Sequence, residues 1–124
     1  MSKGKNGIHE VISAEVASWP GVKATAHRMG GTEFRLGRVE LGHLHGDRLA
    51  DLPFPKRIRD ELVKSGKASP HHVLPESGWV SRWIGGPADI EPVIALFRLN
   101  FERYAKRSSR SVPHPEAYAN ARDQ

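Results

Sequence analysis

At 124 residues without a cysteine, the chain has room for one domain and not a second, and it folds without disulfides, thiolate metal ligands or a cysteine nucleophile. Nineteen Lys and Arg against fourteen Asp and Glu leave a net charge of +5, a basic protein whose long-range field favours anionic partners. No apolar run approaches the roughly 20 residues that span a bilayer, and the opening MSKGKNGIHE lacks the apolar centre of a signal peptide. The expectation is a soluble, cytoplasmic protein with no membrane partner.

In chain order, Ile8, Val11, Ile12, Val16 and Trp19 recur at near-helical spacing until Pro20-Gly21, which predicts an amphipathic first helix. From Val22 the period changes to two, predicting a strand over 22–29 that ends at Gly30-Gly31. Alternation continues through TEFRLGRVELGHLHG, where Gly37-Arg38 suits a two-residue hairpin loop between two further strands. Strand geometry would then place Val39, Leu41, His43 and His45 on one face, two apolar residues running into two histidines. Gly46 to Pro55 reads as a loop or irregular short strand carrying Asp47, Arg48 and Asp51. A short helix follows over KRIRDELVKSG, with Pro55 in its first turn and Gly66 as its stop.

Beyond Pro70-His71-His72, the run Trp79 to Ile84 predicts a strand with Trp79, Ser81 and Trp83 on one face. Gly85-Gly86-Pro87 ends it, and Ile90, Val93, Ile94, Phe97, Phe101 and Tyr104 mark a last helix. This order predicts an α+β domain over residues 7–105, an antiparallel sheet of about four to five strands backed by helices. Residues 106–124 are expected to form a solvated, flexible, basic and Pro-containing tail.

His43-Leu44-His45 is the sharpest chemical signal. On a strand the two imidazoles leave one face about 6.5–7 Å apart at Cα, within common reach of one divalent ion. An ion needs further ligands, for which His71, His72, Asp47 and Asp51 are candidates. Without a metal, a histidine could take a proton from a phenolic or enolic compound, with a second imidazole or Arg82 stabilising the anion. Trp79, Trp83 and Phe54 offer flat walls for such a ring, although each could equally be plain core. Adjacent residues of an extended chain face opposite ways, so only one of His71 and His72 is expected to enter the cleft. Ser77 lies in ESGW rather than in a GxSxG elbow, and there is no P-loop or dinucleotide GxGxxG. His9, His27 and His114 are expected to serve solubility.

The stretches SWPGV, GGTEFRLG, ELGHLHGDRLADLPFP, RDELV, HHVLPESGWVSRWI and ALFRLNFER, together most of residues 18–104, resemble the luciferase-like domain family. That family contains the fungal luciferases and many small bacterial proteins. The resemblance implies oxygenase chemistry on a hydroxylated pyrone, using molecular oxygen and no recognised metal or flavin. The positions that match are His43, His45, Asp51, His71, His72, Ser77 and Trp79.

Three readings follow. The first is a small-molecule pocket for cofactor-independent oxygenation or proton abstraction, an oxidoreductase of the monooxygenase type acting on an aromatic or enolic compound. Its catalytic residues would be His43, His45 and His72, and Phe54, Asp51, His71, Ser77, Trp79 and Arg82 would bind the ligand. The second is a non-catalytic module for an anionic ligand or nucleic acid. The third is a metal-dependent enzyme built on His43 and His45, with a divalent ion as its cofactor.

Overall fold

The structure, a computed structural model, describes residues 7–27 and 30–111. Apolar residues four apart make helix α1, Ile8–Ala17, bury Ile12 and Val16 on one side. The backbone N–H groups at its N-terminus, left without intrahelical partners, are met by side chains: Gly7 donates to Glu10 and His9 to Asp47. Strands β1 (Val22–His27), β2 (Gly31–Leu36) and β3 (Val39–His45) follow as consecutive antiparallel neighbours. Residues 46–55, expected as a loop or irregular short strand, contain a regular one, β4, Leu49–Pro53. Helix α2 is Lys56–Lys64.

After a two-residue edge strand β5 (Ser69–Pro70) come β6 (Trp79–Trp83), a 3₁₀ turn at Pro87–Asp89 and helix α3, Ile90–Ser111. The six strands pair antiparallel throughout in the order β1-β2-β3-β4-β6-β5. This is the expected α+β architecture with one more strand, the short β5. Helix α3 runs to Ser111, past the expected domain end at residue 105, and the rest of the predicted tail, residues 112–124 with His114, lies outside the described residues. So does the side chain of His27. No described helix is long and apolar enough to cross a membrane.

Helices α1 and α3 pack together, and α3 crosses β3 and β4. One sheet face meets them with Phe34, Leu44, Ala50, Leu52 and Val80, all fully buried against Ile12, Val93 and Phe97. Strand alternation then assigns Glu33, His43, Asp51 and Ser81, which sit opposite one another across β2, β3, β4 and β6, to the other face.

A β-bulge decides that assignment for β3. Phe34 pairs with Gly42 but Arg35 pairs with Glu40, leaving Leu41 as an extra residue. Leu41 therefore turns into the core with Leu44, and His43 and His45 emerge on the opposite face. The expectation that Val39, Leu41, His43 and His45 share a face is thus corrected, because one inserted residue reverses the alternation. Gly42 permits the bulge: its φ is +153°, and a Cβ there would lie 2.8 Å from the Asp51 carbonyl oxygen and 2.9 Å from the Phe97 ring. Asn100, fully buried on α3, donates to the carbonyls of Leu41 (3.0 Å) and Pro53 (2.9 Å). Its own carbonyl accepts from Arg103.

Asn100→Leu keeps the branched shape but strands two buried carbonyls, and is expected to cost about 1–3 kcal/mol in denaturant unfolding. Gly42→Ala meets both a positive φ and backbone, and is expected to destabilise by about 1–3 kcal/mol or more. An unchanged midpoint in either variant would show that the bulge is not held in this way.

Candidate functional site

Asp51 occupies the middle of β4 between Ala50 and Leu52, both turned to the core, so the strand period points its carboxylate to the opposite face. It is 1 % exposed there. Ser81, across from it on β6, donates its hydroxyl to Asp51 Oδ1 at 2.7 Å. The other oxygen, Oδ2, faces imidazoles: His45 and His72 bring Nε2 to 3.0 Å, and His43 and His71 to 3.5 Å.

Both His71 and His72 enter the site, contrary to the expectation for an extended pair. The chain bends immediately after β5. His71 Nδ1 accepts the backbone N–H groups of Val73 (3.1 Å) and Leu74 (2.9 Å), and the His72 N–H donates to Ser81 Oγ at 3.1 Å. A second turn is braced by Ser77, whose hydroxyl donates to the Leu74 carbonyl (2.7 Å) and accepts from the Trp79 N–H (3.1 Å). Gly78 lets this segment lie against the end of β4: its carbonyl accepts the Phe54 N–H at 3.2 Å, and a Cβ would collide with the Phe54 carbonyl oxygen. Arg59 of α2 also donates to the Pro75 carbonyl.

The four rings form two shells of access. The side chains of His43 and His71 are 12 % and 10 % exposed, whereas those of His45 and His72 are each 34 % exposed and face solvent. Trp79 lies beside the inner pair, its ring 5.5 Å from that of His43 and 5.8 Å from that of His71. Trp83 stands 6.0 Å from His72 and is half exposed.

Burial would push the His43 pKa down, but hydrogen bonds to Asp51 and to Glu40 (2.7 Å from Nδ1) outweigh it and hold it up at about 9. For Asp51, burial would raise the pKa. Hydrogen bonds with His43, Ser81 and His72 outweigh that and keep the carboxyl ionised, well below the usual carboxylate range. Burial dominates at His71 and lowers its pKa, favouring the neutral ring.

The structure brings His43, His45, Asp51, His71, His72 and Trp79 together. Phe54 is a member of the apolar core, and Ser77 braces the turn beside the site. Arg82 alternates with Ser81 onto the other side of the sheet, where it pairs with Asp89 at 3.2 Å. Asp47 lies at the start of α1, and His9 bonds Thr32 Oγ1 at 2.8 Å. Two site residues escaped the sequence reading. Ser81 shares a strand face with Trp79 and Trp83 and could have been found from that. Glu40 could not, since three residues along a regular strand separate it from the face of His43, and only the bulge unites them.

Glu40 is expected to control the charge of His43. The ring should hold both protons at neutral pH and lose one as pH rises through about 9; in Glu40→Gln that loss should move to lower pH. Long-range ¹H–¹⁵N NMR of the imidazoles reads both, and an unaltered His43 titration in the variant would remove Glu40 from the site.

Residues 38–100, slightly more than half of the chain, match the family described as Luciferase domain. The match spans β3, β4, α2 and β6 and so includes all four clustered histidines and Asp51. No curated protein and no solved structure matches the chain. With a family match of that extent over the residues that build both the sheet centre and the cluster, the chain belongs to the Luciferase domain family.

Proposed function

We propose that this Luciferase-domain protein binds a hydroxylated aromatic or enolic small molecule over the histidine cluster and removes a proton from it, preparing it for oxygenation by molecular oxygen. The observation that carries this reading is the pair of solvent-facing imidazoles, His45 and His72, each 3.0 Å from the same buried carboxylate. A carboxylate behind an imidazole orients the ring and stabilises the imidazolium that forms when the ring accepts a proton. The ring nitrogen turned away from Asp51 is then the base, and the substrate hydroxyl is the acid.

Loss of that proton leaves a phenolate or enolate, electron-rich at carbon and able to supply the electrons that oxygen takes up. His43, charged at neutral pH and close to the same carboxylate, offsets negative charge gathered at the site. Trp79 and Trp83 supply flat apolar surface beside the rings, suited to a planar ligand. Family membership supports the direction, since likeness to the fungal luciferases of that family implies oxygenation of a hydroxylated pyrone.

The test is a panel of phenols, hydroxypyrones and enolic acids, scored by thermal stabilisation and by oxygen consumption. Binding of at least one class by the wild type is expected. Loss of turnover by about 10²-fold or more should follow in His72→Gln or His45→Gln, and weaker binding with smaller loss of turnover in Trp83→Ala. Oxygen uptake that survives both histidine substitutions would refute the reading.

A further inference from the structure

The cluster contains more nitrogen than its carboxylate can satisfy. Asp51 Oδ1 already accepts from Ser81, and four imidazole nitrogens converge within 3.5 Å of Oδ2. A carboxylate oxygen offers about two lone-pair sites. If every Nε2 carried a proton, four donors would crowd one acceptor. If none did, four lone pairs would face a carboxylate with no positive charge between them, and in any mixture either more than two donors share the oxygen or unprotonated nitrogens turn lone pairs on it. A cation that takes lone pairs from several nitrogens and one oxygen resolves both difficulties.

We propose that the cluster binds one divalent first-row transition-metal ion through the Asp51 carboxylate and Nε2 of His43, His45 and His72, with Glu40 and His71 as outer partners. The inference concerns what the cluster holds before any small molecule arrives, and because a ring that ligates through Nε2 carries its proton on Nδ1, His45 and His72 would serve as the base of the reaction proposed above only in the metal-free protein.

The other nitrogen of each ring selects these ligands. His43 Nδ1 lies 2.7 Å from a Glu40 carboxylate oxygen, so it keeps its proton, and ion binding would displace the proton that Nε2 holds in the metal-free site, the usual second-sphere arrangement of a metal-bound imidazole. His71 is the reverse. Its Nδ1 accepts two backbone N–H groups, so in the neutral ring the proton is on Nε2, and His71 donates to Asp51 instead of ligating. His45 and His72 bring Nε2 closest to Oδ2, at 3.0 Å each, which places both nitrogens where an ion on that oxygen would sit. The donor atoms of His43, His45 and Asp51 all lie within 4.8 Å of one another, as do those of Asp51, His71 and His72. Ligands on one ion with bonds of about 2.0–2.2 Å are separated by no more than about 4.4 Å, so His43, His45 and Asp51 need only small shifts, and His72, which belongs to the second group and shares only the carboxylate with the first, must turn its ring toward them.

Three imidazoles with one carboxylate, in a chain without cysteine, suit Zn²⁺, Fe²⁺ or Ni²⁺ and not the oxygen-seeking Mg²⁺ or Ca²⁺. The rims also differ in a useful way. His45 and His72 are each a third exposed, so substituting them leaves the core packing alone and the variants should fold.

The experiment is calorimetric titration of the chelator-stripped full chain with Zn²⁺ and with Ni²⁺, alongside circular dichroism and melting of each variant. One equivalent is expected to bind the wild type. His45→Gln and His72→Gln should weaken binding by about 100-fold or more, and Glu40→Gln by about 10–100-fold. His71→Gln should weaken it by less than either ligand variant. Stripped wild type that takes up no ion, or folded His45→Gln and His72→Gln proteins that bind as tightly as wild type, would overturn the site. A His71→Gln loss equal to that of His72→Gln would overturn the ligand set. Metal binding that persists while no phenolic or enolic compound binds would count against the proposed reaction alone.

Discussion

A carboxylate buried in the middle of a sheet is expensive unless every oxygen has partners, and Asp51 is the point on which this domain's polar face is built. Ser81 holds one oxygen and the imidazoles gather at the other. The result binds three separate pieces of chain, β3, β6 and the segment after β5, to β4. A group that ties together so much structure is also rigid, and rigidity is what a site needs if its imidazoles are to be held at fixed angles to a ligand.

Placing that carboxylate opposite histidines depends on the bulge at Leu41. Without the extra residue, His43 and His45 would follow Leu41 toward α3 and the core, where imidazoles lack partners. The bulge needs Gly42, whose missing side chain admits Phe97 and the β4 backbone, and it exposes a carbonyl that Asn100 satisfies from α3. Helix packing on one face of the sheet therefore sets the geometry on the other. The same kink swings Glu40 beside His43, and so supplies the carboxylate that controls that ring's protons.

The segment from His71 to Gly78 has a comparable role. Two turns, braced by His71 Nδ1 and by Ser77, fold a polar stretch over Asp51 in place of a second apolar layer. Tryptophans on β6 flank the rings without closing them off, and half of Trp83 remains open to solvent. With helices on one face of the sheet and a histidine-lined shelf on the other, the outer rings are reached from solvent without opening the core. The family match covers the shelf and the first half of α3, as far as Asn100.

Local spacing alone determined much of this. Period-two and period-three-four patterns located α1, β1 to β3, β6 and α3, and the HxH and HH pairs with Trp79 marked the cluster, because such signals depend on neighbours a few residues away. Strand β4 was obscured because LADLP, buried at all but its last residue, shows neither apolar-polar alternation nor an unbroken apolar run, Asp51 interrupting it, and the segment is short and flanked by turn residues. The face on which the histidines emerge, the entry of both His71 and His72, and the partnership of Glu40 with His43 were decided only in three dimensions. Each depends on a bulge or a turn held by residues up to 59 positions away, as Asn100 holds Leu41, and no local pattern carries a contact of that range.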